Sequence, residues 1–113
     1  SAVLASGEND VDRQSRQVQD FLVRRVEAVV LSPCESKGIG EAIRRANAAG
    51  VPVFTVDTGC LAPGAKVVTH VATDNLEGGR QAGRAVLELV GDRGGKVAVL
   101  DYKDAESCLL RVK

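Results

Sequence analysis

Short Val-rich runs alternating with stretches of helical period constrain this chain more than any other feature of its 113 residues. The runs lie at 2–5, 28–31, 53–56, 67–71 and 97–100. They are too short for helices and bounded by Gly, Pro, Asp and Ser, so they read as strands. Between them the apolar spacing changes. Val18, Phe21, Leu22 and Val26 recur at i, i+3, i+4 and i+8, predicting a helix over 12–25 with Asp10 or Asp12 as N-cap. Ile39, Ala42, Ile43, Ala46 and Ala49 predict a second helix, stopped by Gly50 and Pro52. A third opens at Asp74-Asn75-Leu76-Glu77, an acidic variant of the capping box, and runs to Gly91. Its Leu76, Val86, Leu87 and Val90 share a face with Gly79 and Gly83, which allow close approach to a neighbour. A fourth helix starts near Ser107. Strands alternating with helices imply parallel pairing and right-handed crossovers, an α/β fold. Val-rich strands suit a sheet covered on both faces.

Composition excludes several function classes. Fifteen basic and fifteen acidic residues cancel, and no Lys/Arg block is longer than a pair. The electrostatic footprint of a nucleic-acid or membrane-surface binder is absent. No apolar run reaches the roughly 18 residues of a membrane span. Cys34, Cys60 and Cys108 lack the close pairs of zinc or dithiol motifs, and the sequence calls for no metal and no cofactor. They read as small, half-buried thiols. Cys34 and Cys60 both follow strands that could be neighbours, which leaves a disulfide between them open.

Ser36-Lys37-Gly38-Ile39-Gly40 after a strand has the look of a phosphate-binding turn. That turn also needs a glycine where Cys34 stands, and a Tyr with Lys four residues on, whereas Tyr102 is followed at that distance by Glu106. The segment therefore reads as a Gly-softened start to a helix. His70 is the lone histidine, sits in a strand, and has no nucleophile motif to serve, so it reads as structural. No catalytic residue is assigned, and the chain reads as a binding protein, not an enzyme.

Asp57 stands apart. An acid ending Val53-Phe54-Thr55-Val56 sits at the carboxyl edge of a strand, where open α/β sheets hold ligands and where its oxygens can accept from ligand hydroxyls. Arg111, beyond the 97–100 run, offers a guanidinium donor.

Four segments, Val18-Gln19-Asp20-Phe21-Leu22, Ala28-Val29-Val30-Leu31-Ser32-Pro33, Ala46-Asn47-Ala48-Ala49-Gly50-Val51-Pro52-Val53 and Val71-Ala72-Thr73-Asp74-Asn75 with Gly78-Gly79, together resemble the type I periplasmic binding proteins. The likeness is greatest to the ribose-binding-protein-like sugar receptors of ABC transporters. It implies a three-layer parallel-sheet fold carried here in part, without the first strand and most of the second lobe. Residues 1–73 would belong to the N-terminal lobe and 74–113 to the start of the C-terminal lobe, with Thr73 and Asp74 at the first hinge crossing. The resemblance further implies that Asp57 and its neighbour Thr58 bind sugar hydroxyls and that Arg111 clamps the sugar. The family often carries Arg where Thr58 stands. A membrane permease as partner and a periplasmic or extracytoplasmic location follow from the same likeness. The first strand of the family lies mid-sheet, so its absence predicts an open slot, filled by rearrangement or by a second copy as a homodimer. Two alternatives remain: the effector domain of a lac-repressor-like regulator, which shares the fold, and a self-associating half-domain with no ligand site.

Overall fold

The computed structural model describes residues 2–113. Asp10, in extended backbone, accepts the Arg13 N–H at 3.0 Å and starts α1, Val11–Val23. Three strands follow as read from the sequence, the first and third somewhat shortened: β1, Val29–Leu31; β2, Val53–Val56; and β3, Thr69–Val71. They form one parallel sheet in the order β1-β2-β3, with Val30 opposite Phe54 opposite Thr69, and Leu31 opposite Thr55 opposite His70. The crossover from β1 to β2 is α2, Gly40–Ala48. Gly50 at φ 73° supplies the left-handed residue that turns the chain from α2 toward Pro52 and β2.

α1 and α2 pack on one face of this sheet. There Val18, Val29, Leu31, Ile39, Ala42, Ile43, Ala46 and Val53 form the core, with Ile39, Ile43 and Ala46 fully buried. The period-2 alternation puts Val30 and Val71 on the other face, where they stay 69% and 63% exposed. One layer of a two-sided sheet is thus built.

Two expected strands are corrected. Residues 2–5 and 97–100 pair with nothing, because a strand exists only against a neighbour and none of the described residues offers one at the right edge. The open slot expected inside the sheet lies instead outside β1. It is a groove of about 360 Å³ whose walls include Ala5, Ser6, Gln14, Phe21, Val29 and Val30. Gln14 closes one end: its Nε2 donates to the Ser32 carbonyl at 2.7 Å and its Oε1 accepts the Cys34 N–H at 2.9 Å.

After β3 the chain enters α3, Asn75–Val90, with Asp74 as N-cap accepting the Glu77 N–H at 2.9 Å. Only Asn75 of this helix is buried. A 3₁₀ turn, Gly91–Arg93, and an exposed stretch lead to α4, Glu106–Arg111, which packs on α3. Gly79 makes that contact possible, since a Cβ there would collide with the Arg111 backbone carbonyl. The molecule is 60 Å long with a radius of gyration of 17.4 Å, against about 13 Å for a compact domain of this length. All three cysteines are free, and no helix among the described residues is long and apolar enough to cross a membrane.

Candidate functional site

The carboxyl ends of β2 and β3 open into a cavity of about 350 Å³, roofed by the start of α4. Its floor is set by one backbone turn. Asp57 adopts φ 62°, a left-handed conformation that Asp tolerates better than most residues, and its N–H donates to the Val71 carbonyl at 2.9 Å. The turn ties the two strand ends together and leaves the Asp57 side chain exposed in the cavity. The next residue goes the other way. Thr58 is buried behind the floor, its Oγ1 3.2 Å from the Ser107 hydroxyl of α4.

α4 is held over the site by its backbone as well. The Ser36 hydroxyl accepts the Glu106 N–H at 2.8 Å, the Ser36 N–H donates to the Asp104 carbonyl at 2.8 Å, and the Ser36 carbonyl accepts from Leu61 at 2.7 Å. The Ser36–Gly40 segment, with its look of a phosphate turn, therefore works as a clamp between the β1 loop and α4. Glu106, so placed, puts its carboxylate against Gly59, where the His70 ring also lies. His70 Nδ1 is 2.9 Å from the hydroxyl of Thr55, a side chain 1% exposed whose oxygen this contact satisfies. Thr73 and Asp74 are exposed in the wall between β3 and α3. Asn75, 3% exposed, has its Oδ1 buried with no partner.

The sequence-derived site residues thus fall in three places. Asp57, Thr73 and Asp74 share the cavity; Thr58 lies behind its floor; Arg111 is exposed in the adjoining recess with Leu76, Gly79 and Arg80, and Leu110 lines both spaces. Sequence reasoning missed Glu106 and Ser107, which no local motif marks, and Asn75, read only as part of a cap. His70 had a usable signal, its register opposite a buried Thr, but that register exists only in the folded sheet. The charged groups on the cavity wall are Asp57, Asp74 and Glu106, with no Lys or Arg among them. Such a wall accepts hydrogen bonds from hydroxyl groups and repels anions.

A family profile described as "Periplasmic binding protein domain" matches residues 1–107. The ribose import binding protein RbsB of Bacillus subtilis (strain 168) is 37% identical over 99 residues, covering 88% of this chain and 32% of that protein. Among solved structures, the fructose binding periplasmic domain of the hybrid two component system BT1754 superposes with a TM-score of 0.89 at 23% identity, covering 99% of this chain and 37% of that one. An ABC transporter solute binding protein from Agrobacterium vitis, with bound D-fucose, gives 0.84 at 30% identity, covering 96% and 38%. This chain spans about a third of the length of the curated relatives it matches.

Proposed function

The chain belongs to the periplasmic binding protein domain family, and from that premise we propose that it forms part of the solute-binding component of a sugar ABC importer. Its ligand is a neutral monosaccharide-like polyol held between two lobes. Residues 1–73 contribute to the first lobe and 74–113 begin the second, with Thr73 and Asp74 at the crossing. Asp57 accepts hydrogen bonds from ligand hydroxyls, Thr58 steadies the loop from behind, and Arg111 swings from its recess to donate to the ligand when the lobes close. The protein carries out no chemistry; it works outside the cytoplasm and delivers the sugar to a membrane permease. A second copy of the chain is a further partner, at the open edge of β1.

One observation carries this reading. The Asp57 carboxylate stands exposed at the carboxyl end of a parallel strand, in an acid-walled cavity, on a backbone turn that fixes its position. The relatives named for ribose and D-apiose import support a pentose as the first ligand to try. Titration of the chain with ribose, followed by amide NMR, is expected to shift the resonances of Asp57, Gly59, His70 and Asn75. Asp57→Asn is expected to weaken binding about 10- to 100-fold, the worth of a charge-assisted hydrogen bond. Equal response to ribose 5-phosphate, or unchanged affinity in Asp57→Asn, overturns the assignment.

A further inference from the structure

We propose that His70 is a hydrogen-bond donor of the cavity, its ring held in the Nε2–H tautomer by Thr55 and its N–H offered to an oxygen of the ligand. The inference rests on the reading of the cavity as a sugar site and adds to that site a residue and a protonation state.

The tautomer follows from an accounting of hydrogens. Thr55 is 1% exposed, and among the described residues His70 Nδ1, at 2.9 Å, is the one hydrogen-bond partner of its hydroxyl. A hydroxyl has one hydrogen to give and lone pairs to fill. With the proton on Nδ1 the ring would donate, and the Thr55 hydrogen would be buried without an acceptor, an orphaned donor of the kind folded proteins avoid. With the hydroxyl as donor Nδ1 accepts, and in a neutral ring the proton then sits on Nε2. Thr55 and His70 are partners in the parallel register of β2 and β3, so the sheet itself holds the two groups together.

The other edge of the ring meets the cavity. His70 is exposed on the cavity wall, and Cε1, the atom between the two ring nitrogens, lies 3.6 Å from the point where a Cβ on Gly59 would stand. Glycine leaves that space open. The Glu106 carboxylate reaches the same glycine, but the bond to Thr55 is the only one the ring makes among the described residues. The Nε2 hydrogen is therefore available to a ligand.

A sugar needs such a group. Asp57, Asp74 and Glu106 accept from hydroxyls, and Asn75 Oδ1, buried without a partner, is one more acceptor on the same wall. Sugar oxygens must also accept, and a ring oxygen can do nothing else; enclosed by acceptors alone it would be left unsatisfied. The other side-chain donors on the wall are the Asn75 amide and the hydroxyls of Thr73 and Ser107, the last already shared with Thr58. Of these groups His70 is the one whose hydrogen is fixed by a buried neighbour before a ligand arrives. A neutral imidazole also donates without bringing a charge, which suits an uncharged ligand.

The test is long-range proton–nitrogen correlation NMR of the ring at about pH 8, above the ordinary histidine range, followed by ribose titration of variants. The chain has a single histidine, so the ring signals identify themselves. The expected spectrum shows Nε2 protonated and Nδ1 bare. Thr55→Val, which removes the hydroxyl, is expected to mix the two tautomers, and Thr55→Ser to restore the single one. His70→Phe is expected to weaken ribose binding about 3- to 10-fold, the worth of one neutral hydrogen bond. A ring protonated on Nδ1 overturns the proposal and leaves the sugar reading standing, whether or not Thr55→Val folds. Tautomers unchanged in a folded Thr55→Val do the same, as does a ribose affinity unchanged in His70→Phe but weakened in Asp57→Asn. No ribose binding by the unaltered chain overturns both readings.

Discussion

Every residue of the hydrophobic core lies between Val18 and Val53, whereas α3, with 16 residues against the 9 of α2, buries only Asn75. Both helices are amphipathic in sequence. α2 lies on a sheet, and its Ile43 and Ala46 are fully buried; α3 packs on the short α4 and on the 3₁₀ turn at its own end, and its Leu87 and Leu89 remain 71% and 84% exposed. A stripe of apolar residues is a capacity to bury surface, realised only where another element presents a face. Beyond its contact with α4, what holds α3 is local: the Asp74 cap and the Glu77–Arg84 ion pair. What holds α2 is tertiary.

Substitutions can sharpen or break this contrast. Ile43→Ala, at a position with no exposure, is expected to cost about 2–5 kcal/mol in urea unfolding. A loss comparable to that of a surface change would mean that the core is not where the contrast puts it. Gly79→Val drives a side chain into the Arg111 backbone and is expected to cost about 1–3 kcal/mol, read as faster amide exchange across 106–111 with α1 and α2 unaffected.

Asp10 gives a smaller, pH-dependent effect. The Arg13 N–H, more than any other group, holds its carboxyl below the ordinary aspartate value. The folded value lies below the unfolded one, so the stabilisation of α1 is complete above about pH 4 and is lost as pH falls through the lowered value. Asp10→Asn should keep the cap and abolish that acid limb in helix-detected titrations. Leu89→Lys should change unfolding free energy by less than about 0.5 kcal/mol, and a larger loss would reveal a partner surface for α3.

Much of the fold was legible in the sequence. The order of elements from Asp10 to Val90 follows from spacing and stop signals: Gly50 and Pro52 end α2 as read, and Asp74 caps α3 as read. Residues 2–5 and 97–100 are as apolar and as short as β1 and β2 yet are not strands, because pairing depends on a second edge that composition cannot report. The site was half legible. Asp57 could be placed from the end of its strand, but Thr58 could not, since period-2 alternation gives no warning of a left-handed residue just before it. Glu106 and Ser107 come to the cavity through Ser36, seventy positions from Glu106 in the chain, a closure that no local pattern encodes.

The left-handed turn at Asp57 has a mechanical consequence. It sends one side chain out to the cavity and the next one back to Ser107, so a single peptide unit links whatever grips the carboxylate to the helix that roofs the site. Between the two α-carbons lies one rigid peptide plane, and the Thr58 side chain carries the link on to Ser107 of α4. The residue facing the cavity and the residue facing the roof are thus neighbours in the chain, so the position of the floor and the position of α4 are set by one turn.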